Sequence, residues 1–221
     1  FGTPQSNGAI SQRISDLADA FEQLGNTPEQ NSPKVEVIES AIQVMDAFEN
    51  LSEQIQHMRG DIDKNISDEV DRANTWLNEI AELNTDVVRQ KNLGQPTTEL
   101  EDQRDLKINQ LSKIMNVTTY NRGDGSMVLF TANGNRTLLD RTPATISFSP
   151  TAGFEPGTGG SGIMLNGEDV TDVIQNGTIK GLLEMRDTEL PRLNDQINEL
   201  AGELRDAINE AATYPHLTPP T

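Results

Sequence analysis

The 221-residue chain carries 35 acidic and 17 basic residues, and its formal net charge of −18 disfavours nucleic acid and anionic membranes as partners. Hydrophobic residues make up 34 % of the chain and aromatic residues 4 %, which is typical of long helices that bury a narrow apolar stripe. The chain has no cysteine, which excludes disulfides and thiolate metal sites, and no apolar run of about 18 residues that would predict a membrane-spanning helix.

The first part of the chain predicts one short helix followed by one very long helix. Apolar residues recur every three or four positions over residues 10–24, and a Gly-Asn stop signal follows. A second pattern runs from Pro33 to about Val88 without an internal proline, and it predicts a helix with a coiled-coil-like seam that needs partner helices along its whole length. The predicted seam consists of Ile38, Ala41, Met45, Phe48, Leu51, Ile55, Met58, Ile62, Ile66, Val70, Ala73, Leu77, Ile80, Leu83 and Val87.

A third helix is predicted after the turn "LGQPTTE". Thr98 is its expected N-cap, with Glu101 completing a capping box. The apolar stripe continues to Met115, and Arg104 occupies a position in the same row. We expect the Arg104 guanidinium to lie over its neighbours and to reach solvent or a carboxylate.

The chain then changes character over residues 117–177. The turn signals "NRGDGS" and "ANGN" flank "MVLF", and "RTLL", "ATISFS" and "GIMLNGEDV" also read as strands and turns. This composition predicts a small β-rich insert that leans on the helices, with "PTAGFEPGTGGSG" as a flexible loop and tether. Helix resumes near Ile179, and Pro191 is expected to kink it or to start a new segment.

These elements predict a mainly α protein: an elongated bundle of long antiparallel helices with a small β-rich excursion. The expected domains are a helical domain formed by residues 1–116 and by a return helix over residues 178–212, and a β-rich insert over residues 117–177. A Pro-rich tail is expected over residues 213–221.

We predict no catalytic, cofactor-binding or metal-binding residue, and therefore no enzyme. The two histidines, His57 and His216, are far apart and have no flanking ligand pattern. The segment "GEDVTD" lacks the alternating oxygen ligands and closing glutamate of a calcium loop, and "GTGGSG" lacks the Lys-Ser/Thr ending of a phosphate loop. The tripeptide Arg122-Gly123-Asp124 spells an adhesion signal, but a hairpin turn needs Gly and Asp there for its geometry.

Several blocks, in their order, resemble the type 1 hook-associated proteins of bacterial flagella, which form the first junction between hook and filament. "LEDQRDLKINQLSKIMNV" is similar to a Leu-x-Asp-Gln-Arg-Asp block of that family, and Ala132-Asn133-Gly134 follows it as expected. "ANTWLNEIAELNTDV" resembles the preceding helix. "IKGLLEMRDTELPRLNDQINELAGELRDAINE" resembles the return helix, with Gly181 and Arg186 in the expected places.

The resemblance implies a mechanical role without catalysis and without a cofactor. It implies a core fragment lacking both terminal regions, an extracellular location in the flagellum, and export without a cleaved signal peptide. The implied partners are the hook protein and the next junction protein, with ring formation through the missing terminal regions. We expect the fragment itself to be a monomer whose apolar stripe is satisfied internally.

Three other hypotheses remain open at the level of the sequence. The type 3 hook-associated protein and flagellin share long helices. A secreted adhesin-like module could use the Arg-Gly-Asp turn. A cell-wall hydrolase would need a catalytic cluster, which the sequence does not display.

Overall fold

A computed structural model describes residues 10–132 and 136–213, with side chains described as far as residue 210. Most of these residues are helical, and two small antiparallel sheets lie in the sequence between the third and fourth helices. The prediction of a mainly α protein with a small β insert is confirmed. The described residues form two compact units, which divide between Gln56 and His57 and again between Leu190 and Pro191.

The long helix is confirmed as a single element of 62 residues. Its proline, Pro33, lies in the first turn, where a missing N–H has no helical partner to lose. The cap prediction for the next helix is wrong by one residue, because Thr97 precedes it and its hydroxyl donates to the Glu101 carboxylate at 2.8 Å. The helices are α1 (Ile10–Asn26), α2 (Asn31–Asn92), α3 (Thr98–Ile114), α4 (Thr178–Glu184) and α5 (Leu190–Thr213), with a π-helical turn at Met185–Glu189.

The unit formed by residues before His57 and after Leu190 contains α1, the first part of α2, and α5 from Pro191 onward. Leu17, Val44, Phe48 and Ile197 are buried there. In this part of α2 the predicted seam is correct at Phe48 and Ile55, which are buried, but wrong at Ile38 and Met45, which are 60 % and 62 % exposed. Val44, which the seam left out, is buried instead. The expectation that the whole stripe is satisfied internally is therefore corrected.

The second unit, His57–Leu190, has one hydrophobic core to which helices and strands both contribute. The predicted seam is correct from Ile66 to Ile80 and at Val87, but Met58 is 45 % exposed. Ile62 and Leu83 are only partly buried, because a polar residue one position later takes the inward place in each case. The buried α2 residues in this unit are Arg59, Asp63, Ile66, Val70, Ala73, Leu77, Ile80, Asn84 and Val87.

The two sheets have three strands each, in the orders β1-β2-β3 and β4-β5-β6, and all neighbours are antiparallel. Leu129 and Leu139 of the first sheet and Ile146 and Leu165 of the second are buried in the same core as α2, α3 and α4. The β-rich insert was predicted to pack against the helices, and the structure shows that the strands and helices share one hydrophobic core. The strands are β1 (Val117–Asn121), β2 (Met127–Thr131), β3 (Thr137–Leu139), β4 (Ile146–Ser147), β5 (Met164–Leu165) and β6 (Glu168–Asp169).

Within the described residues, none of the helices has the combination of length and apolar character that crossing a bilayer requires.

Candidate functional site: buried polar contacts around the β-rich segment

Four charged side chains of the second unit form what we call the arginine cluster: Arg59, Asp63, Arg186 and Asp187. Arg59, Asp63 and Arg186 are each 1 % exposed, although charged side chains are almost never fully buried unless they are paired. Arg59 and Asp63 lie one turn apart on α2, and the other two lie in the π-helical turn. The cluster therefore joins α2 to the start of the return helix.

Asp63 is shared between a cation and the loop that precedes β5. Its Oδ1 accepts a hydrogen bond from Arg186 Nη1 at 2.5 Å, and its Oδ2 accepts one from the backbone N–H of Thr151 at 2.5 Å. Asp187 accepts two further bonds from Arg186, at 2.9 Å and 2.7 Å. Arg186 thus bridges two carboxylates and also donates to the carbonyl of Ser161 at 2.9 Å.

The π-helical turn explains why a helix carbonyl is available to Arg59. In this turn the N–H of Leu190 donates to Met185 O, five residues earlier. At the same spacing, the hydrogen-bond donor to Arg186 O would be the backbone N–H of residue 191, but Pro191 has no N–H. The Arg186 carbonyl instead accepts from Arg59 Nε at 3.0 Å. Pro191, which predicted a kink in the helix, therefore leaves the Arg186 carbonyl without a helical donor, and the buried Arg59 side chain donates to it instead.

The electrostatics of the cluster balance, since two guanidinium groups face two carboxylates. Burial lowers the pKa of Arg59, and the nearby positive charge of Arg186 acts in the same direction. Burial also acts to lower the pKa of Arg186, but its hydrogen bonds with Asp187 and Asp63 outweigh that effect and raise its pKa. Both guanidinium groups stay charged, so removing either carboxylate would leave a buried positive charge with fewer partners.

The loop between β4 and β5 is pinned by both guanidinium groups. Arg59 donates to the carbonyls of Glu155 and Thr158 at 3.3 Å and 2.5 Å, and its guanidinium carbon lies 4.3 Å from the centroid of the Phe154 ring. The prediction that this stretch is a flexible tether is wrong, because Gly160 lies so close to Arg186 that an added Cβ would overlap the guanidinium group. The glycines here permit close approach of the backbone to arginine.

A second polar contact links α2 and α3 to the first sheet. Asn84 Nδ2 donates to Met127 O at 2.7 Å, and Asn84 Oδ1 accepts from Met127 N at 3.0 Å, so the amide side chain takes the place of a neighbouring strand. Arg104 donates to Asn84 Oδ1 at 3.0 Å and to Gly125 O at 2.7 Å, and it is 2 % exposed. The solvent alternative for its head is therefore wrong, whereas the carboxylate alternative is met at the limit of ion-pair distance, with Arg104 Nε 4.0 Å from Asp105 Oδ1.

The second sheet is held in the same way, by Asn74 of α2. Its Nδ2 donates to Ile146 O at 2.7 Å, and its Oδ1 accepts from Ile146 N at 3.0 Å. An asparagine amide offers a donor and an acceptor at a spacing similar to that of a peptide group. One long helix therefore supplies a strand-like contact to each sheet, ten residues apart.

The Arg-Gly-Asp tripeptide lies in the β1–β2 turn, and both of its charged side chains have partners within the chain. Asp124 Oδ1 accepts from the backbone and hydroxyl of Ser126 at 2.9 Å and 2.7 Å, and these bonds lower its pKa. Arg122 Nη1 lies 2.7 Å from Asp140 Oδ1. The interpretation as turn geometry agrees with these contacts.

The remaining sequence candidates do not converge on a chemical centre. Asp169 Oδ1 accepts from the backbone and hydroxyl of Thr171 at 2.8 Å and 2.7 Å, so this part of "GEDVTD" is a turn motif. His57 is exposed, and His216 lies outside the described residues, as do Asn133 and Gly134. Over the described part of the chain, the structure brings no three His, Asp or Glu side chains into an arrangement that could hold a metal ion.

The sequence prediction missed Arg59, Asp63, Asn74 and Asn84 as important positions. A signal was present, since Arg59, Asp63 and Asn84 continue the three-and-four spacing from Ile55 to Val87. Reading only apolar residues moved the predicted seam to their neighbours. A polar residue in register with a buried stripe is a candidate for a buried hydrogen-bonding role.

Comparison with known proteins identifies the family. The family model described as the helical domain of the flagellar hook-associated protein FlgK matches residues 2–214. Flagellar hook-associated protein 1 of Escherichia coli K12 is 21 % identical over 214 residues, covering 92 % of this chain and 38 % of the relative. The same protein of Salmonella typhimurium LT2 is 22 % identical over 212 residues, covering 94 % and 38 %. The chain thus spans less than two fifths of these relatives.

The solved structures include one with the same fold. The flagellar hook junction protein FlgK from Burkholderia pseudomallei matches with a TM-score of 0.69 and 20 % identity, over 84 % of this chain and 34 % of that one. The match to the family model covers nearly the whole chain. The chain belongs to the flagellar hook-associated protein FlgK family and contains its helical domain.

Proposed function

We propose that this chain is part of a structural protein at the junction of the flagellar hook and filament, where it works through shape and stiffness. The observation that carries the proposal is the use of the buried polar groups. Arg59, Arg186, Arg104, Asn74 and Asn84 all bond to backbone groups or carboxylates of the same unit. Their bonds hold the β-rich segment, residues 117–177, against the helices.

The proposed mechanism is mechanical. A buried, hydrogen-bonded polar contact tolerates little displacement, because each broken bond leaves a desolvated donor or acceptor. Three such contacts along α2 therefore resist sliding or tilting of the sheets on the helix. We infer that the unit His57–Leu190, held in this way, transmits load without changing its own shape.

The proposed partners are the hook protein on one side and the next junction protein on the other, with further copies of the whole protein completing a ring. The proposed location is extracellular, in the flagellum, after export without a cleaved signal peptide. The formal net charge of −18 is suited to an exposed assembly that must stay soluble before it is incorporated. No enzymatic step is part of the proposal.

Deleting the gene tests the junction role. Electron micrographs of the deletion strain are expected to show hooks without attached filaments, with filament protein released into the medium. Supplying the intact gene should restore attachment. Normal filaments on the hooks of the deletion strain would contradict the proposal.

A further inference from the structure

The chain contains four Asn-Gly pairs, and two of them, Asn166-Gly167 and Asn176-Gly177, lie among the described residues. Asparagine is a thermolabile residue, and a following glycine increases its reactivity because no Cβ shields the glycine nitrogen from the asparagine side chain. Both of these asparagines are exposed. The structure holds them very differently, so each serves as a reference for the other.

Asn166 is fixed in the turn between β5 and β6. Its backbone N–H donates to Thr145 O at 2.9 Å, and its Oδ1 accepts from Thr145 N at 3.0 Å. Asn166 and Gly167 both have positive φ, 50° and 89°, as a tight hairpin turn with two central residues requires. Rotation of the Asn166 side chain toward the nitrogen of Gly167 would break its bond with Thr145, so the fold opposes a reaction between the two groups.

Asn176 has no comparable restraint. It is exposed, and within the residues that the structure describes its side chain has no hydrogen-bond partner. It lies between the 3₁₀ turn Thr171–Val173 and the start of α4, in neither element. Its side chain is therefore free to rotate toward the nitrogen of Gly177 and to reach the close approach that an intramolecular reaction needs.

The fold requires glycine at position 177 despite this reactivity. A Cβ added to Gly177 would overlap Ile114 O at the end of α3, and its φ of +94° is one that residues with a side chain rarely adopt. The next residue, Thr178, begins α4, and its hydroxyl donates to Lys113 O at 3.2 Å. The close contact between α3 and α4 therefore fixes the residue that makes Asn176 reactive.

We propose that Asn176 is a site of spontaneous deamidation that weakens the contact between α3 and α4. The backbone nitrogen of Gly177 attacks Cγ of Asn176 and forms an N–Cγ bond, while the Cγ–Nδ2 bond breaks and ammonia leaves with the proton of the Gly177 nitrogen. Water then opens the cyclic imide, adding hydroxyl to one carbonyl carbon and returning a proton to the nitrogen. One opening gives aspartate, and the other gives isoaspartate, in which the main chain runs through Cγ.

The isoaspartate product changes the contact between α3 and α4 more than the aspartate product does. Isoaspartate adds one carbon to the main chain directly before Gly177, which already lies against Ile114 O. Aspartate adds a negative charge at an exposed position and leaves the length of the main chain unchanged. The isoaspartate form therefore displaces the start of α4, whose residues Ile179 and Leu183 belong to the hydrophobic core.

Peptide mapping of the intact 221-residue chain tests the reaction. The folded chain is incubated at neutral pH, and mass spectrometry follows the increase of about 1 Da at each Asn-Gly pair. Asn176 is expected to react at least about tenfold faster than Asn166 in the folded chain, and at a rate within about threefold of it in guanidinium chloride, where neither is held. An Asn176 rate no higher than that of Asn166 in the folded chain, or a preference that persists after unfolding, would overturn the proposal.

A substitution that removes the reaction provides the control for the site. Asn176→Gln keeps a side-chain amide but lengthens it, so that ring closure would form a larger and less accessible ring. The mass increase at this pair should disappear in Asn176→Gln, while the rate at Asn166 stays unchanged. Deamidation of Asn176→Gln at the original rate would contradict the assignment.

Amide hydrogen exchange tests the structural effect. In chain enriched in isoaspartate at position 176, the Leu183 amide of α4 should exchange at least about tenfold faster than in fresh chain, whereas the Val128 amide of β2 should be unchanged. Asn176→Asp carries the charge without the added carbon, and its Leu183 amide should exchange as in fresh chain. Equal exchange at Leu183 in the isoaspartate form and in Asn176→Asp would refute the proposed weakening of the contact.

Discussion

At the scale of single residues, the main feature is the burial of charged side chains. Arg59, Asp63 and Arg186 are as inaccessible as the leucines around them. Replacing a whole ion pair by apolar residues is often neutral, whereas removing one partner is costly because the other charge remains buried. The position of each charge in the cluster is therefore testable with single substitutions.

Asp63→Asn is expected to destabilise the chain by about 3–5 kcal/mol, since it leaves the buried Arg186 guanidinium without one of its two carboxylates. Urea unfolding followed by circular dichroism measures the effect. The matched control is Asp61→Asn in the same helix, where the side chain is 73 % exposed and paired with Lys64. That variant should lose less than about 1 kcal/mol, and a similar loss in both variants would refute the importance of the cluster.

Gly160→Ala is expected to lower the free energy of unfolding by about 1–3 kcal/mol, because the new methyl group overlaps the Arg186 guanidinium. Its neighbour Gly159 provides the control, since a Cβ there meets nothing within 4 Å. Thermal unfolding of the two alanine variants compares them directly. A Gly160→Ala protein as stable as the Gly159→Ala protein would show that the loop does not need this close approach.

Asp169 makes a pH-dependent contribution to stability. Hydrogen bonds from the hydroxyl and backbone of Thr171 lower its pKa in the folded chain below the unfolded value. The stabilisation is therefore present above the unfolded pKa and is lost as the pH falls through the folded pKa. Thr171→Val should raise the folded pKa of Asp169, as measured by NMR titration of its carboxyl group. Thr119→Val on β1 is the control, and an unchanged titration in Thr171→Val would count against this assignment.

At the scale of elements, periodicity predicted the helices well because a helix repeats its environment every three or four residues. The long α2, the return helix and the β-rich character of residues 117–177 all followed from the sequence. The inward face of α2 did not follow completely, since Arg59 and Asn84 are buried only because backbone groups distant in sequence bond to them. A local sequence pattern cannot predict hydrogen-bond partners that are distant in sequence. The π-helical turn could not be predicted from the local pattern either.

The two asparagine contacts should be separable by amide hydrogen exchange. Asn74→Ala is expected to speed exchange at Ile146 while leaving the amides of β1 and β2 unchanged, because it removes the acceptor of Ile146 N–H. Asn84→Ala should have the reverse pattern, with faster exchange at Met127. Each variant is thus the control for the other. Faster exchange throughout both sheets in both variants would indicate that the contacts cannot be separated.

At the scale of the whole molecule, one long helix contributes to two compact units with different surfaces. The unit His57–Leu190 buries its α2 face against a β-rich segment, whereas the other unit leaves Ile38, Ile42 and Met45 exposed. Apolar residues recur at helical spacing in both parts of α2, so the pattern could not predict which part would be covered. That difference depends on the elements that the rest of the chain places beside it.

We expect the isolated chain to sediment as a monomer at micromolar concentration despite this exposed stripe. Its net charge of −18 repels a second copy. Sedimentation velocity at low and at physiological salt measures the state. A stable ring or filament formed by the chain alone would contradict the expectation.

The contact between Asn74 and Ile146 has a further consequence for pairing between copies of the chain. β4 is an edge strand, and the N–H and C=O of Ile146 are the groups through which a foreign strand could extend the sheet. Because the Asn74 side chain already forms hydrogen bonds with both groups, a strand from another molecule cannot pair with Ile146 at this edge. Copies of the chain that meet at high concentration can then touch without pairing strands through β4.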